Sequence, residues 1–68
     1  MARVKKNIGI GERYRALHPF GRVWEVDDIY MDGLHRAHAQ MHAVEMPSEH
    51  RTIAVDVLLD RTRYAPVE

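Results

Sequence analysis

The feature that most constrains this chain is the absence of cysteine in a sequence of only 68 residues. A domain of this size buries about 60% of the surface that its unfolded chain exposes, so its hydrophobic core is thin. Without cysteine, no disulfide or thiolate zinc site can supplement that core, and no cysteine nucleophile exists. A stretch of this length also excludes a two-domain enzyme. The chain length and the lack of cysteine therefore predict one small domain with a thin core and no disulfide to support it.

The first ten residues differ in character from those that follow. Lys5 and Lys6 are charged, and Gly9 interrupts the run. We expect residues 1–10 to form a flexible basic arm and residues 11–68 to form a single small β-barrel domain. No stretch approaches the roughly 20 apolar residues of a membrane helix, and no apolar signal-peptide core of about 7–15 residues follows the basic start. These observations predict a cytoplasmic protein without membrane contact.

Two strands are predicted in the first half of the chain. The segment around Tyr14 and Ala16 alternates, so these two side chains can face the core while the neighbouring arginines face solvent. Residues 22–31 are rich in β-branched and aromatic side chains and make the strongest strand. An irregularity at Asp27 and Asp28, such as a β-bulge, would turn four apolar side chains of this strand to the core side. These four are Trp24, Val26, Ile29 and Met31.

The next segment, residues 34–46, allows two interpretations. Asp32 and Gly33 precede it, and Asp-Gly between apolar runs is typical of a tight β-hairpin. The alanine, leucine, glutamine and methionine content of residues 34–46 favours a helix. As a strand, the segment would turn these side chains inward: Ala37, Ala39, Met41 and Ala43. We favour the strand, because the hairpin turn needs a partner for the strand before it.

The last third of the chain predicts two short strands around a helical turn. Residues 52–55 form the first strand, and Asp56 can cap a single turn formed by residues 57–59. Residues 64–67 form the final strand. Pro66 donates no backbone hydrogen bond, so this strand is expected at a sheet edge or at the closure of a barrel.

The order of these elements resembles the Src-homology-3-like small β-barrel. Residues 53–67 carry most of the resemblance: a strand, a tight turn whose two leucines plug the barrel, and a short last strand. Residues 21–26 and 51–53, with His38 and Ala39, are also similar to small uncharacterised bacterial proteins of this kind. The resemblance implies a mostly β fold, a five-stranded small barrel with one short helical turn before the last strand. It brings no catalytic motif, and fold alone does not imply function.

Histidine is unusually frequent, at His18, His35, His38, His42 and His50. On a helix, His38 and His42 would lie one turn apart with His35 on the same face, a spacing that can bind zinc or nickel. On a strand, His38 and His42 would stand about 13 Å apart at roughly 3.3 Å per residue, too far to share one ion. Metal binding by the histidines therefore depends on a helix in residues 34–46. With the strand favoured, we expect no metal and no cofactor.

Nothing in the sequence assembles a catalytic site. Glu25, Asp27, Asp28 and Asp32 form an acidic segment that is typical of a solvated hairpin and lacks the spacing of a calcium loop. No motif positions a nucleophile or an oxyanion hole beside these carboxylates. The sequence therefore predicts a protein that is not an enzyme and has no catalytic residues.

The charge distribution is uneven although the net charge is zero. Residues 1–24 hold six cations and one acid, a local charge of +5 that the rest of the chain balances. Small barrels bind single-stranded nucleic acid through such basic stripes and through exposed aromatic rings on which bases stack. The residues that would contact nucleic acid here are Arg3, Lys5, Lys6, Arg13, Arg15 and Arg22 for phosphates, with Phe20 for stacking.

Three functions follow from these observations. The first is a non-enzymatic binding or adaptor module that recognises a protein, through an exposed edge strand or a groove near Phe20 and residues 27–32. The second is a module associated with single-stranded nucleic acid through the basic third of the chain. The third is metal binding by histidines. The partner is not identified by the sequence, and a homodimer would add buried area to a core that the small side chains of residues 37–43 leave thin.

Overall fold

Five antiparallel strands form one curled sheet in the structure, a computed structural model that describes residues 8–17 and 21–67. The strands are β1 (Arg13–Ala16), β2 (Val23–Met31), β3 (Ala37–Ala43), β4 (His50–Ala54) and β5 (Tyr64–Val67). A single helical turn, α1 (Val55–Leu58), lies between β4 and β5. The strand order is β4-β3-β2-β1-β5, and the sheet curls into a half-barrel. The predicted mostly β fold with a helical turn before the last strand is confirmed.

The core lies on the inner face of this curled sheet. Tyr14 and Ala16 are buried while the arginines beside them are exposed, as the alternation in β1 predicted. Within the segment with two interpretations, Ala37–Ala43 is a strand. Of its four predicted inward residues, three are fully buried and Ala37 is partly buried against the core; the three are Ala39, Met41 and Ala43. The remaining buried apolar residues are Ile8, Trp24, Val26, Val55, Leu58 and Tyr64. Ile8 falls within the predicted arm, whose residues 1–7 lie outside the described part of the chain.

A bulge interrupts the pairing of β2 with β3, as predicted. Val26 pairs with Met41 and Asp28 with Gln40, so Asp27 is the extra residue. Beyond the bulge Ile29 packs against the core, as expected. The prediction that Met31 faces the core is wrong, because its side chain is 59% exposed. Met31 pairs only with the end of β3, beyond the reach of β1 and β4, so nothing in the described residues covers it.

The β2–β3 hairpin turns at Asp32 and Gly33, as the sequence predicted, but its loop differs in geometry from the predicted tight turn. The Asp32 amide donates to the Arg36 carbonyl at 2.9 Å, and the His35 amide donates to the Asp32 carbonyl at 3.1 Å. The Asp32 carboxylate accepts from the amides of Arg36 and Leu34, which lowers the pKa of Asp32. His35, with φ 62°, takes the left-handed position that glycine usually occupies in three-residue hairpin loops. The tight two-residue Asp-Gly turn is therefore replaced by a longer loop.

The end of β4 also departs from the prediction. The strand ends at Ala54, so Val55 is the first helical residue instead of the last strand residue. Ala54 occupies the N-cap position and has no polar side chain, whereas Asp56, the predicted cap, lies within the first turn. No side chain caps this turn. Burial of Val55 and Leu58 in the core stabilises it instead. Pro66 sits in β5, which pairs with β1 and forms one edge of the sheet, as predicted.

Within residues 8–17 and 21–67 the structure contains no helix that could span a membrane.

The hairpin geometry makes a prediction about stability. Replacing His35 by glycine should raise the free energy of unfolding by about 0.5–1 kcal/mol, because a left-handed backbone strains any residue with a Cβ atom. Gly33→Ala is the matched control: φ of Gly33 is not positive, and an added Cβ meets nothing within 4 Å. The control should change stability by less than about 0.5 kcal/mol. Urea unfolding followed by circular dichroism measures both, and a less stable H35G protein would contradict the loop geometry.

Candidate functional site

The arginines predicted to bind nucleic acid are engaged with other groups where the structure describes them. Arg13 Nε donates to Glu25 Oε1 at 2.9 Å, and Arg22 forms an ion pair with Glu49. Arg15 Nη1 donates to the carbonyl of Gly21 at 2.9 Å. Two of these three cations are therefore neutralised locally. The other predicted contacts lie outside the described residues: Arg3, Lys5, Lys6 and Phe20.

The histidines of β3 do not form the chelate that a helix would have allowed. His38 and His42 lie four residues apart on a strand, so the condition for histidine-only metal binding fails. The His38 ring stacks on Tyr30 with centroids 5.7 Å apart, and its Nδ1 lies 3.7 Å from an oxygen of Asp32. His42 Nδ1 lies 2.7 Å from Asp27 Oδ1. Each imidazole thus has its own neighbours on the outer face of the sheet.

A mixed cluster that sequence reasoning missed surrounds His42. Glu25 lies directly opposite His42 in the β2–β3 pairing, and the bulged residue Asp27 turns toward the same imidazole. One ligand atom from each of the three residues lies within 4.8 Å of the others. The sequence did indicate the bulge, but the register that sets Glu25 opposite His42 depends on where the hairpin turns.

The side chain of Arg51 bridges the open side of the half-barrel, which lies between the edge strands β4 and β5. The guanidinium carbon of Arg51 lies 4.3 Å from the ring centroid of Trp24, and Arg51 Nη1 donates to the Tyr64 hydroxyl at 2.9 Å. Because Arg51 belongs to β4 and Tyr64 to β5, this bond joins the two edges of the sheet. The indole Nε1 of Trp24 is buried and has no hydrogen-bond partner within the described residues. We call this open side the seam.

A groove runs along the seam next to the Arg51–Tyr64 bridge. It has a volume of ≈ 360 Å³ and combines apolar walls with polar groups at its rim: Ile53, Val57, Thr62, Arg63 and Tyr64. None of these residues belongs to the groove predicted near Phe20 and residues 27–32. We call this feature the seam groove.

The charge at the rim of the seam groove comes from Arg63 and Asp60. The Arg63 side chain is 66% exposed, and its Nε lies 3.7 Å from Asp60 Oδ2. The hydroxyl and the amide of Thr62 both donate to Asp60 Oδ1, at 2.7 and 2.9 Å. These hydrogen bonds lower the pKa of Asp60. Because the Arg63 side chain is largely exposed and its contact with Asp60 is long, its guanidinium remains open to a further anionic partner from solvent.

No protein-family model matches this chain, no curated protein is significantly similar to it, and no solved structure matches it.

The bridge across the seam predicts a measurable contribution to stability. Arg51→Ala should lower the free energy of unfolding by about 1–2 kcal/mol, through loss of a cation–π contact and one hydrogen bond. Arg36→Ala, which removes another exposed arginine from the hairpin loop, is the control and should stay within about 0.5 kcal/mol. Urea unfolding followed by circular dichroism gives both values. Equal values for the two variants would show that the bridge contributes nothing.

Binding to single-stranded nucleic acid stays a prediction with a clear salt signature. If the six basic residues each neutralise one phosphate, affinity for a mixed-sequence oligonucleotide should fall about 300-fold between 50 and 200 mM salt. Arg15→Gln should reduce the slope by about 0.7, whereas Arg36→Gln should leave it unchanged. Fluorescence anisotropy of a labelled oligonucleotide makes the measurement. Absent binding at low salt, or affinity that does not respond to salt, would contradict this function.

Proposed function

We propose that this chain is a non-enzymatic protein-interaction module that binds an extended, acidic segment of a partner protein in the seam groove. The observation that carries the proposal is the position of that groove, at the side of the half-barrel where the sheet is not closed. β4 pairs with β3 alone, which leaves its other edge without a strand neighbour in the described residues. Backbone N–H and C=O groups on such an edge can pair with an added extended segment.

The chemistry of the groove favours a partner with both apolar and acidic side chains. Ile53 and Val57 are partly buried and pack against the core, and each leaves part of its apolar surface open to the groove. Arg63 is mostly exposed, and its single described ion pair is long and solvated. A carboxylate of the partner that reached Arg63 would gain a charge-assisted hydrogen bond. Asp60 at the same rim already accepts two hydrogen bonds from Thr62, so the more exposed Arg63 favours an acidic segment over a basic one.

The architecture supports the same class of function. The strand order β4-β3-β2-β1-β5, with a helical turn before β5, supports the proposed likeness to Src-homology-3-like small barrels. The finer likeness to small bacterial proteins of this kind rests on the sequence resemblance alone. The cytoplasmic location stays a prediction from the sequence. Recognition by an edge strand and a shallow groove needs no catalytic group, which fits a binding or adaptor role.

Selection from a displayed library of random peptides tests the proposal. Peptides enriched on the wild-type chain should combine Asp or Glu with apolar residues, and synthetic versions should bind in the seam groove. Arg63→Glu should weaken these peptides about tenfold, because it reverses the charge that faces their carboxylates. Arg36→Glu makes the same charge change on the hairpin loop and should leave affinity within about twofold.

Two outcomes would overturn the proposed function. One is a library that yields no enriched peptide. The other is a set of peptides that bind the Arg63→Glu and wild-type chains equally well, since those peptides would occupy another surface. Amide NMR spectra of both variants, compared with the wild type, confirm that the fold is intact before affinities are compared.

A further inference from the structure

We propose that Glu25, Asp27 and His42 form a zinc-binding site on the outer face of the sheet, on the side opposite the core. Their ligand atoms, one imidazole nitrogen and two carboxylate oxygens, lie within 4.8 Å of one another. Around a tetrahedral zinc ion with bonds of about 2.0–2.2 Å, such atoms lie about 3.3 Å apart. A separation of 4.8 Å would shorten by about 1.5 Å to reach that spacing, and the 2.7 Å contact between Asp27 and His42 would lengthen by about 0.6 Å.

The pairing of the strands β2 and β3 places these three ligand residues next to one another. Glu25 and His42 are partners in the antiparallel register of β2 and β3, so their side chains stand next to each other on one face. Asp27 is the extra residue of the bulge, and bulges are features that re-aim a side chain. Its carboxylate points at His42 Nδ1, at 2.7 Å. All three donors therefore come from paired strands, which hold a site more precisely than loops do.

The donor set favours zinc over magnesium or calcium. Magnesium and calcium prefer sites made only of oxygen, whereas an imidazole with carboxylates suits zinc and similar transition metals. His50 lies directly opposite His42 in β4, on the same outer face, and is a candidate fourth ligand. Three protein ligands with an open or exchangeable fourth position are common for zinc. His42 was also part of the histidine chelate that a helix in residues 34–46 would have formed. The site proposed here differs because its other ligands, Glu25 and Asp27, come from β2.

Arg13 modulates the charge of the proposed site. Its Nε donates to Glu25 Oε1, and Arg13 is also the register partner of Glu25 in β1. A partner of this kind orients a ligating carboxylate, and the second oxygen of Glu25 stays available to the ion. The guanidinium also reduces the negative charge that attracts the metal, so we expect weaker binding than the same ligands would give without Arg13. Both carboxylates of the site are partly exposed, which gives the ion a direct path from solvent.

Calorimetric titration of the untagged chain with zinc chloride tests the site. We expect one ion bound per chain and a rise of a few degrees in the unfolding temperature, because zinc would bind the folded state preferentially. Asp27→Asn and His42→Gln should each weaken binding at least tenfold. The matched controls are Asp28→Asn, the next residue along the strand, and His38→Gln, an imidazole on the same face of β3. Both controls should stay within twofold of the wild type.

Four results would overturn the zinc site. They are no zinc binding, equal losses in His38→Gln and His42→Gln, unchanged affinity in both Asp27→Asn and His42→Gln, and magnesium binding as tight as zinc. Amide NMR spectra of each variant establish that the hairpin remains folded. With zinc added, the wild-type spectrum should shift around the bulge and leave the seam groove unchanged, which separates this site from the proposed peptide site.

Discussion

An open sheet in so short a chain needs something to cover its inner face, and the rest of the structure depends on how that need is met. The two edge strands, β4 and β5, do not pair with each other. α1 covers part of the opening with Leu58, whose side chain is 1% exposed. Arg51 covers another part with its guanidinium over the Trp24 ring and its hydrogen bond to Tyr64. A charged side chain thus completes an apolar core, because its flat face and long stem can pack on aromatic surface while its charge stays near water.

The small side chains of β3 also help this short chain to pack the inner face of its sheet. Trp24 stands opposite Ala43, and Ile29 stands opposite Ala39, so a large residue on one strand faces a small one on the next. Such complementary pairs fill the interior of small barrels without overpacking it. The alanines that favour a helix by propensity are therefore suited to the concave side of a strongly curled sheet. Tertiary packing overrides local preference in this segment.

Local sequence signals were sufficient for most of the fold. Alternation set the inward face of β1 and β3, the adjacent aspartates indicated the bulge, and Pro66 indicated an edge strand. The misjudged features depend on neighbours distant in sequence or on the backbone geometry of a single turn. Met31 occupies an inward-facing position in the alternation of β2, but it lies beyond the ends of the strands that could cover it. Both candidate sites also depend on residues that are distant in sequence. The seam groove joins β4 to β5, and the zinc ligands meet only once the hairpin register is fixed.

Trp24 is the sole tryptophan of the chain, and it lies under the side chain that bridges the seam. The residue is 3% exposed, and a guanidinium rests on one face of its indole ring. Any movement that lifts Arg51 away from the ring would change both the electric field and the hydration that the indole experiences. The wavelength and intensity of its emission therefore form an intrinsic optical reporter of the seam, which requires no label and no engineered probe.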